Sequence, residues 1–233
     1  MTKLILKDIS HMFGTNQVLS QVNLEVQEGE FVTILGPSGS GKSTIFNIIG
    51  GLLVPDTGEV ILEGRSVVGR TGHVAYMPQT PSLMPWRTVA DNIALGSEIK
   101  GDTAGRLDEL LERSGFDEIR EHYPDSLSGG MKQRVSFLRA LNTPGELMLL
   151  DEPFSALDEI TRYDMQAWLK EILAVEKRTV LMITHSIEEA IKLSDRIVVL
   201  EGKPASIHHV IDVRHMREQE IVSLKTQLLE MLR

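Results

Sequence analysis

The chain has 233 residues, 42% of them apolar and 24% charged, enough to bury the core of one large domain. It has no cysteine, which excludes a disulfide framework and a thiolate metal site, and its net charge of -9 argues against a nucleic-acid-binding surface. There is no signal-peptide core and no apolar run of the about 18 residues needed to cross a bilayer. We therefore expect a cytoplasmic protein that meets a membrane only through a partner.

Strands and helices alternate along the chain. The apolar patterns predict strands at 3–9, 18–26, 31–35, 58–64, 73–77, 147–153, 179–184 and 196–200. A helix is predicted to begin at residue 45 and to end at Gly50-Gly51. Further helices are predicted at 89–99, 106–116, 159–175, 186–193 and 218–232, with residues 80–143 mainly helical. This alternation indicates an α/β fold with a mostly parallel sheet flanked by helices.

A glycine-rich loop, GPSGSGKS, follows the strand at 31–35 and precedes a helix. It fits the pattern GxxxxGK[ST], in which glycines let the backbone wrap a phosphate and N–H groups face the anion. Lys42 is expected to contact the β- and γ-phosphates, and Ser43 to offer its hydroxyl to Mg²⁺. The alternative is a glycine turn without a ligand.

Two acids end the strand LMLLDE, at the edge where α/β sheets bind ligands. Asp151 is predicted to hold the Mg²⁺ shell and Glu152 to polarise an attacking water. The alternative is an acid that caps the next helix, which Pro153 and the distance to residue 159 weaken.

One histidine, His185, directly follows the predicted strand at 179–184. Because this is the next parallel strand along the chain, the side chain is expected near the γ-phosphate; a structural role is the alternative. The other six histidines, including His208 and His209, have no spacing typical of a metal site and are interpreted as surface or packing residues.

The C-terminal helix has an apolar face formed by Ile221, Leu224, Leu228 and Leu232. This spacing of three and four residues indicates a helix that caps the core. A partner-binding helix is the alternative.

These motifs match one family in order and spacing, and over about residues 3–205 the chain resembles the ATPase subunit of an ATP-binding-cassette (ABC) transporter. Phe13 is at the place of the aromatic that stacks on adenine, often a tyrosine, and Gln79 is at that of the Q-loop glutamine. Residues 147–152 match the Walker B strand, 127–131 the signature motif and 155–158 the D-loop. The P-loop, or Walker A loop, covers Gly36, Pro37, Ser38, Gly39, Ser40, Gly41, Lys42, Ser43 and Thr44.

The resemblance implies a P-loop NTPase core with an N-terminal antiparallel β part, and ATP and Mg²⁺ as cofactors. It assigns catalysis to Glu152, His185 and Gln79, and the metal to Ser43, Gln79 and Asp151. The predicted core is 1–80 with 144–205, the inserted helical subdomain 81–143 and the C-terminal tail 206–233.

A second glycine-rich stretch, LSGGM at 127–131, is explained by the same resemblance. Ser128, Gly129 and Gly130 open a helix whose N–H groups can face an anion. In the family this anion is the γ-phosphate held by the other protomer, so two chains pair head to tail. Mg-ATP then closes the homodimer and hydrolysis reopens it. The alternative is a helix start with no ligand.

The helical subdomain is expected to contact transmembrane permease subunits on the inner face of the cell membrane. The stretch LMPWRTVADNIALG, and Pro85-Trp86 above all, resembles the branch that imports nitrate, sulfonates, taurine and related small solutes, including pyrimidine precursors. Such importers also use a solute-binding protein. The alternative for Trp86 is a place in the core of the subdomain.

Two other functions remain open at this point. One is a soluble ABC ATPase acting on DNA or ribosomes; the chain has none of the second cassette, coiled-coil insert or basic region usual there. The other is a nucleotide-binding regulatory subunit with negligible turnover, against which the presence of Glu152, Gln79 and His185 counts.

Overall fold

The computed structural model describes residues 1–102, 106–145 and 147–232. They form two compact units, residues 1–73 with 170–232, and residues 74–169. Residues 103–105 of the predicted helical subdomain, Glu146 of the predicted core and Arg233 of the predicted tail lie outside the described residues. The predicted division into core, subdomain and tail remains a prediction.

The described part of the chain contains ten strands and seven α-helices. The strands are β1 (Thr2–Phe13), β2 (Asn16–Gln27), β3 (Phe31–Leu35), β4 (Thr57–Leu62), β5 (Arg65–Ser66), β6 (Ala75–Met77), β7 (Leu147–Asp151), β8 (Thr179–Ile183), β9 (Arg196–Gly202) and β10 (Ala205–Asp212). The helices are α1 (Lys42–Ile49), α2 (Val89–Lys100), α3 (Leu107–Ser114), α4 (Gly129–Asn142), α5 (Glu159–Glu176), α6 (Ile187–Leu193) and α7 (Glu218–Met231). None of these described helices is long and apolar enough to cross a bilayer.

The first unit contains a mixed sheet with the order β5-β4-β1-β2-β10-β9-β3-β8. Its N-terminal part is antiparallel, because β1 pairs antiparallel with both β2 and β4. Its central part is parallel, because β3 pairs parallel with both β8 and β9. All five residues of β3 are buried, as expected of a strand covered on both faces. The α/β fold with an antiparallel N-terminal part is confirmed.

Strand β10 was not predicted from the sequence, which assigned residues 206–233 to a tail. Most of its residues are exposed or half-buried, so the strand lacks a clear apolar alternation. It forms because it pairs antiparallel with β9, for example Ile207 with Leu200. Strand β10 is therefore formed by its pairing with β9 and not by an apolar pattern of its own residues.

Helix α7 packs on the core of the first unit, as predicted. Leu224 and Leu228 are buried in one cluster with Leu35 of β3 and with Ile197 and Val199 of β9. The predicted apolar face of the tail is thus used to cover the sheet.

In the second unit, α2 and α4 approach each other closely. A Cβ added at Gly96 would lie 1.9 Å from Oγ1 of Thr143, so only glycine fits there. Buried Asn142 at the end of α4 donates to Ile93 O (3.1 Å) and to Ser97 Oγ (3.0 Å). These contacts hold α2 against the C-terminal end of α4, the helix that begins at the signature stretch.

Trp86 lies on the surface of the second unit. Its side chain is 72% exposed, whereas Leu83 and Met84 before it are half-buried. The alternative that places Trp86 in a subdomain core is therefore wrong.

Candidate functional site

The P-loop joins β3 to α1 in the first unit, and its glycines are required by its shape. Gly39 and Gly41 have φ values of 77° and 86°, a backbone conformation that residues other than glycine rarely adopt. A Cβ at Gly36 would lie 2.7 Å from Leu200 O, and one at Gly41 would lie 2.7 Å from Leu19 Cδ2. The loop is thus a backbone cradle at a helix N-terminus, the geometry that binds phosphate.

Lys42 lies inside this loop. Its ammonium group donates to Gly36 O at 2.7 Å and to Pro37 O at 2.8 Å, and the residue is only 7% exposed. These carbonyls hold a cation within the loop, where an anion bound to the N–H groups would meet it. Ser43 and Thr44, the next residues of α1, lie at the helix N-terminus; Ser43 is exposed and Thr44 half-buried. The loop therefore fits a nucleotide phosphate chain.

His185 lies at the same edge of the sheet as the P-loop. β3 and β8 are parallel neighbours, with Ile34 opposite Ile183, so the P-loop and His185 both follow carboxyl ends at this edge. The turn holding the exposed His185 is fixed by Thr184, which donates to Glu189 Oε2 at 2.6 Å and accepts from Ser186 N at 3.1 Å. The structure thus places His185 at the edge that also carries the P-loop, and its position near a γ-phosphate stays a prediction.

Phe13 ends β1, and its ring is 53% exposed. It pairs with Asn16 across the β1–β2 turn. A cleft of about 290 Å³ begins at this turn and reaches the P-loop. Its walls are Asn16, Gln17, Val18, Gly39, Ser40, Gly202, Lys203, Pro204 and Ala205. The first unit thus presents an exposed aromatic ring near a cleft that borders the phosphate cradle.

The second unit contains an acidic edge, where β6 and β7 are parallel neighbours. Met77 lies opposite Leu150, so Gln79 and the acids Asp151 and Glu152 follow the two strands at one edge. Gln79 Nε2 donates to Glu152 Oε2 at 3.0 Å. The structure therefore brings the Q-loop glutamine and the proposed water-activating acid into direct contact.

Glu152 has an unusual backbone conformation for a residue other than glycine. Its φ is 48°, in the left-handed region. Such a conformation costs on the order of 1 kcal/mol and persists only where neighbours enforce it. Its carbonyl accepts from Ser155 N (3.2 Å), Ser155 Oγ (3.0 Å) and Gln133 Nε2 (3.4 Å). The backbone at Glu152 is thus fixed, which is typical of a functional position.

Gln133 of α4 is a site residue that the sequence does not predict; it donates to the backbone carbonyl of Glu152. It is 1% exposed although α4 has an exposed polar face. A glutamine on the buried side of an amphipathic helix must find a hydrogen-bond partner. This signal was present in the sequence, but the identity of the partner was not.

Asp151 is 4% exposed at the end of β7. Burial, and then the charge of Asp151, raises the pKa of Tyr76 to about 12. No three His, Cys, Asp or Glu side chains in the described ranges gather into a metal site. A Mg²⁺ ion here would therefore need hydroxyl, amide and nucleotide oxygens besides Asp151, a hard-oxygen set that Mg²⁺ prefers.

The signature stretch opens α4 in the second unit. Ser128 is the N-cap and accepts from Met131 N at 3.3 Å. Ser128 and Gly129 are exposed, and a Cβ at Gly129 would meet nothing within 4 Å. The N–H groups of this helix end are thus open to an anion from outside the chain.

The comparisons with known proteins agree with this geometry. The family model described as "ABC transporter" matches residues 19–155. The chain is 40% identical over 231 residues to an uncharacterised ABC transporter ATP-binding protein of Methanocaldococcus jannaschii, covering 96% of this chain and 86% of that protein. It is 39% identical to the aliphatic sulfonates import ATP-binding protein of Bacillus thuringiensis subsp. konkukian, covering 96% and 92%.

Solved structures show the same fold. The dimeric ATP-binding cassette MJ0796, in a post-hydrolysis state bound to ADP and Pi, superposes with a TM-score of 0.80 at 31% identity. This match covers 91% of the present chain and all of that chain. With the P-loop and the fixed acidic edge, these similarities show that the chain belongs to the ABC transporter family, as an ATP-binding and ATP-hydrolysing subunit.

Proposed function

We propose that this chain is the ATPase subunit of a membrane importer for a small solute of the sulfonate, nitrate, taurine or pyrimidine-precursor kind. It works as a homodimer on the cytoplasmic side of permease subunits, together with a solute-binding protein. Support for the solute class comes from the relative named for aliphatic sulfonate import, which matches over 96% of this chain.

The nucleotide contacts follow from the P-loop. Its amides and Lys42 bind the phosphates, and Lys42 exchanges its bonds to the loop carbonyls for bonds to phosphate oxygens. Phe13 stacks on the base. Ser43, Gln79 and Asp151 are proposed to hold Mg²⁺, which would supply positive charge beside the phosphates. Phosphoryl transfer needs positioning and charge stabilisation more than covalent chemistry, which this arrangement supplies.

Hydrolysis requires a water aligned with the γ-phosphorus. Glu152 is proposed to accept a proton from this water, and His185 to contact the γ-phosphate from the end of β8. Gln79 holds the Glu152 carboxylate at 3.0 Å before the reaction. The fixed backbone of Glu152 limits the motion of the carboxylate and so keeps it available for the water.

The start of α4 supports the homodimer proposal. Ser128, Gly129 and Gly130 open this helix, and no atom of the described residues lies within 4 Å of a Cβ placed at Gly129. We propose that they bind the γ-phosphate on the P-loop of the second copy. The dimeric neighbour MJ0796 supports this assembly.

The observation that carries the transport proposal is the set of hydrogen bonds that hold the segment from Gln79 to Met84, two residues before Trp86. Gln79 contacts Glu152, and Arg139 of α4 then donates to Pro81 O (2.7 Å) and Ser82 O (3.0 Å). The buried side chain of Asn92 accepts from the backbone N–H of Met84 (2.8 Å) and donates to the backbone carbonyl of Met84 (3.1 Å). The segment from Gln79 to Met84 is thus held at three points and leads to an exposed tryptophan.

Trp86 is proposed to anchor the permease. A large exposed aromatic on a fixed loop is typical of an interface anchor, since little ordering entropy is lost on binding. Because the same segment begins at Gln79, nucleotide state and permease contact would be linked through it.

Trp86→Ala tests this proposal. We expect permease affinity to fall about thirtyfold, equivalent to about 2 kcal/mol, with a parallel loss of transport. ATP affinity and melting temperature should stay unchanged because Trp86 is exposed. Co-purification with the permease, ATP binding and thermal unfolding are measured on the same preparation.

Ile99→Ala is the matched control, since Ile99 of α2 is an apolar side chain 76% exposed on the same unit. It should leave permease binding unchanged. Unchanged co-purification of Trp86→Ala would refute the docking role while leaving the ATPase assignment intact.

A further inference from the structure

His11 lies directly behind the proposed adenine-stacking ring. His11 and Phe13 are two residues apart on β1, a spacing that places side chains on the same face of a strand. Their ring centroids are 4.7 Å apart and their planes meet at 87°, an edge-to-face pair. His11 is 6% exposed and Phe13 is 53% exposed, so the histidine forms the buried support of an open ring.

Packing alone does not explain a histidine at this position. Both ring nitrogens are buried, and neither makes a well-aligned hydrogen bond to a described residue. Buried polar atoms without such bonds cost free energy that an apolar side chain would avoid. The nearest charged group is Asp56, whose Oδ2 lies 3.1 Å from Nδ1 of His11.

Asp56 also holds the backbone of the strand end. Its Oδ2 accepts from Met12 N at 2.7 Å, and its own N–H donates to Ser10 O at 3.0 Å. The pairing of β1 with β2 shifts register between Ile9 and His11 and again between His11 and Met12. Where the ladder is irregular, Asp56 therefore supplies contacts on both sides of His11.

The ring at position 13 needs such support because it is a phenylalanine. It has no hydroxyl through which a hydrogen bond could fix its orientation. A half-exposed ring that moves freely loses rotamer freedom when a ligand stacks on it, which weakens binding. An edge-to-face neighbour held by a carboxylate removes part of this loss in advance.

We propose that His11 and Asp56 form a pair that orients Phe13 for the purine base, with His11 as a positioning residue. This inference rests on the proposed function, in which Phe13 stacks on adenine. The pair acts on the base and not on the phosphates, so it contributes to nucleotide affinity without taking part in hydrolysis.

His11→Leu tests the proposal by removing the ring contact and the pairing with Asp56 while keeping an apolar side chain. Binding of Mg-ATP and of inorganic tripolyphosphate, which has no base, is measured by calorimetry. We expect ATP to bind about twofold to tenfold more weakly, the range of an aromatic pair, with tripolyphosphate unchanged. In turnover, KM for ATP should rise by the same factor and kcat should be retained.

Lys3→Met is the matched control. Lys3 is also buried on β1 and forms an ion pair with Glu63, at the strand end opposite Phe13. Its loss should leave the affinities for both ligands unchanged. Equal weakening of ATP and tripolyphosphate in His11→Leu, or no weakening of either, would overturn the inference.

Two further variants complete the test. Phe13→Ala should weaken ATP binding about tenfold or more and abolish the effect of a second His11→Leu change. Full ATP affinity in Phe13→Ala would refute the base site of the proposed function itself, whereas additive losses in the double variant would refute only the role of His11. Asp56→Ala, at an exposed position, should reproduce the ATP-specific loss if His11→Leu does not fold; unchanged ATP affinity there overturns the pair.

Discussion

Two glycine-rich stretches open helices in this chain, and their glycines serve different purposes. In the P-loop, Gly39 and Gly41 have positive φ values and a Cβ at Gly41 would strike Leu19. In the signature stretch, Gly129 and Gly130 belong to the first turn of α4, and Gly129 has open space around it. The first loop needs glycine for its own conformation, whereas the second needs it only if something approaches from outside.

The difference also concerns charge. The P-loop already encloses a cation, Lys42, held by two loop carbonyls. At the start of α4, Ser128 and Gly129 are exposed, and the side-chain cap is the Ser128 hydroxyl, which accepts from Met131 N. We therefore propose that the first stretch binds phosphate within one chain and that the second is a half-site, which needs a nucleotide bound to another copy.

The largest effect is expected for Glu152→Gln, which tests whether ATP bound at the P-loop is hydrolysed without the carboxylate that follows β7. The amide keeps a hydrogen bond to Gln79 but cannot accept the proton. Steady-state turnover should fall at least about a hundredfold, with ATP affinity retained. Glu159→Gln, at the start of α5, is the control and should keep full turnover. Near-normal turnover of Glu152→Gln would remove this residue from the mechanism.

The variants Gly41→Ala and Gly129→Ala test the difference between the P-loop glycines and the signature glycines. Gly41→Ala should lower the free energy of unfolding by about 1–2 kcal/mol and weaken ATP binding, since alanine is strained at its φ. Gly129→Ala should leave both unchanged yet reduce turnover about tenfold to a hundredfold, because a methyl group displaces the opposing phosphate.

Thermal unfolding, ATP binding and turnover are measured for both glycine variants. If Gly129→Ala retains full turnover, no phosphate approaches this helix end and the half-site interpretation is wrong. If Gly41→Ala is as stable as the parent, its φ does not constrain the loop.

Dimerisation is expected to depend on the γ-phosphate, because the half-site has no ligand without it. Light scattering should show mostly monomer with ADP and dimer for Glu152→Gln with Mg-ATP. Adding Gly129→Ala should weaken this dimer, whereas Ile99→Ala should not. A dimer of the same size and affinity without nucleotide would contradict the linkage.

The smallest effect concerns pH at the acidic edge. The folded-state pKa of Tyr76 is about 12, above its ordinary value of 10.0, because of burial and the charge of Asp151. The neutral phenol is therefore favoured in the folded state, and its contribution to stability is complete below pH 10 and lost as pH rises through 12. Since Tyr76 is only half-buried, the loss should stay below about 2 kcal/mol.

Tyr76→Phe removes this titration and should make stability less dependent on pH between 10 and 12. Chemical unfolding at several pH values measures the slope. Tyr123→Phe, at a side chain 52% exposed, is the control and should keep the slope of the parent. Equal slopes for Tyr76→Phe and the parent would show that burial and Asp151 do not raise the pKa of this phenol.

Elements that depend on local pattern can be predicted from the amino-acid sequence alone. The apolar run at β3, the glycine loop after it and the helix after that loop were predicted close to their observed bounds. The acids were predicted at the end of β7, and His185 directly after β8. The helix start at Ser128 was likewise predicted. The spacing of apolar residues, the positions of glycines and the helix caps depend on residues that are close together in the chain. They can therefore be predicted before the fold is known.

Which polar groups bond to each other depends on the packing of distant segments. Gln133 reaches Glu152 across 19 positions, and Arg139 reaches Ser82 across 57. The positive φ of Glu152, the strand β10 and the exposure of Trp86 likewise depend on remote residues. The physical reason is that an apolar side chain needs only some buried surface, which periodicity predicts, whereas a buried donor needs one particular acceptor at about 3 Å. That acceptor is supplied by the packing of distant segments, which the local sequence does not specify.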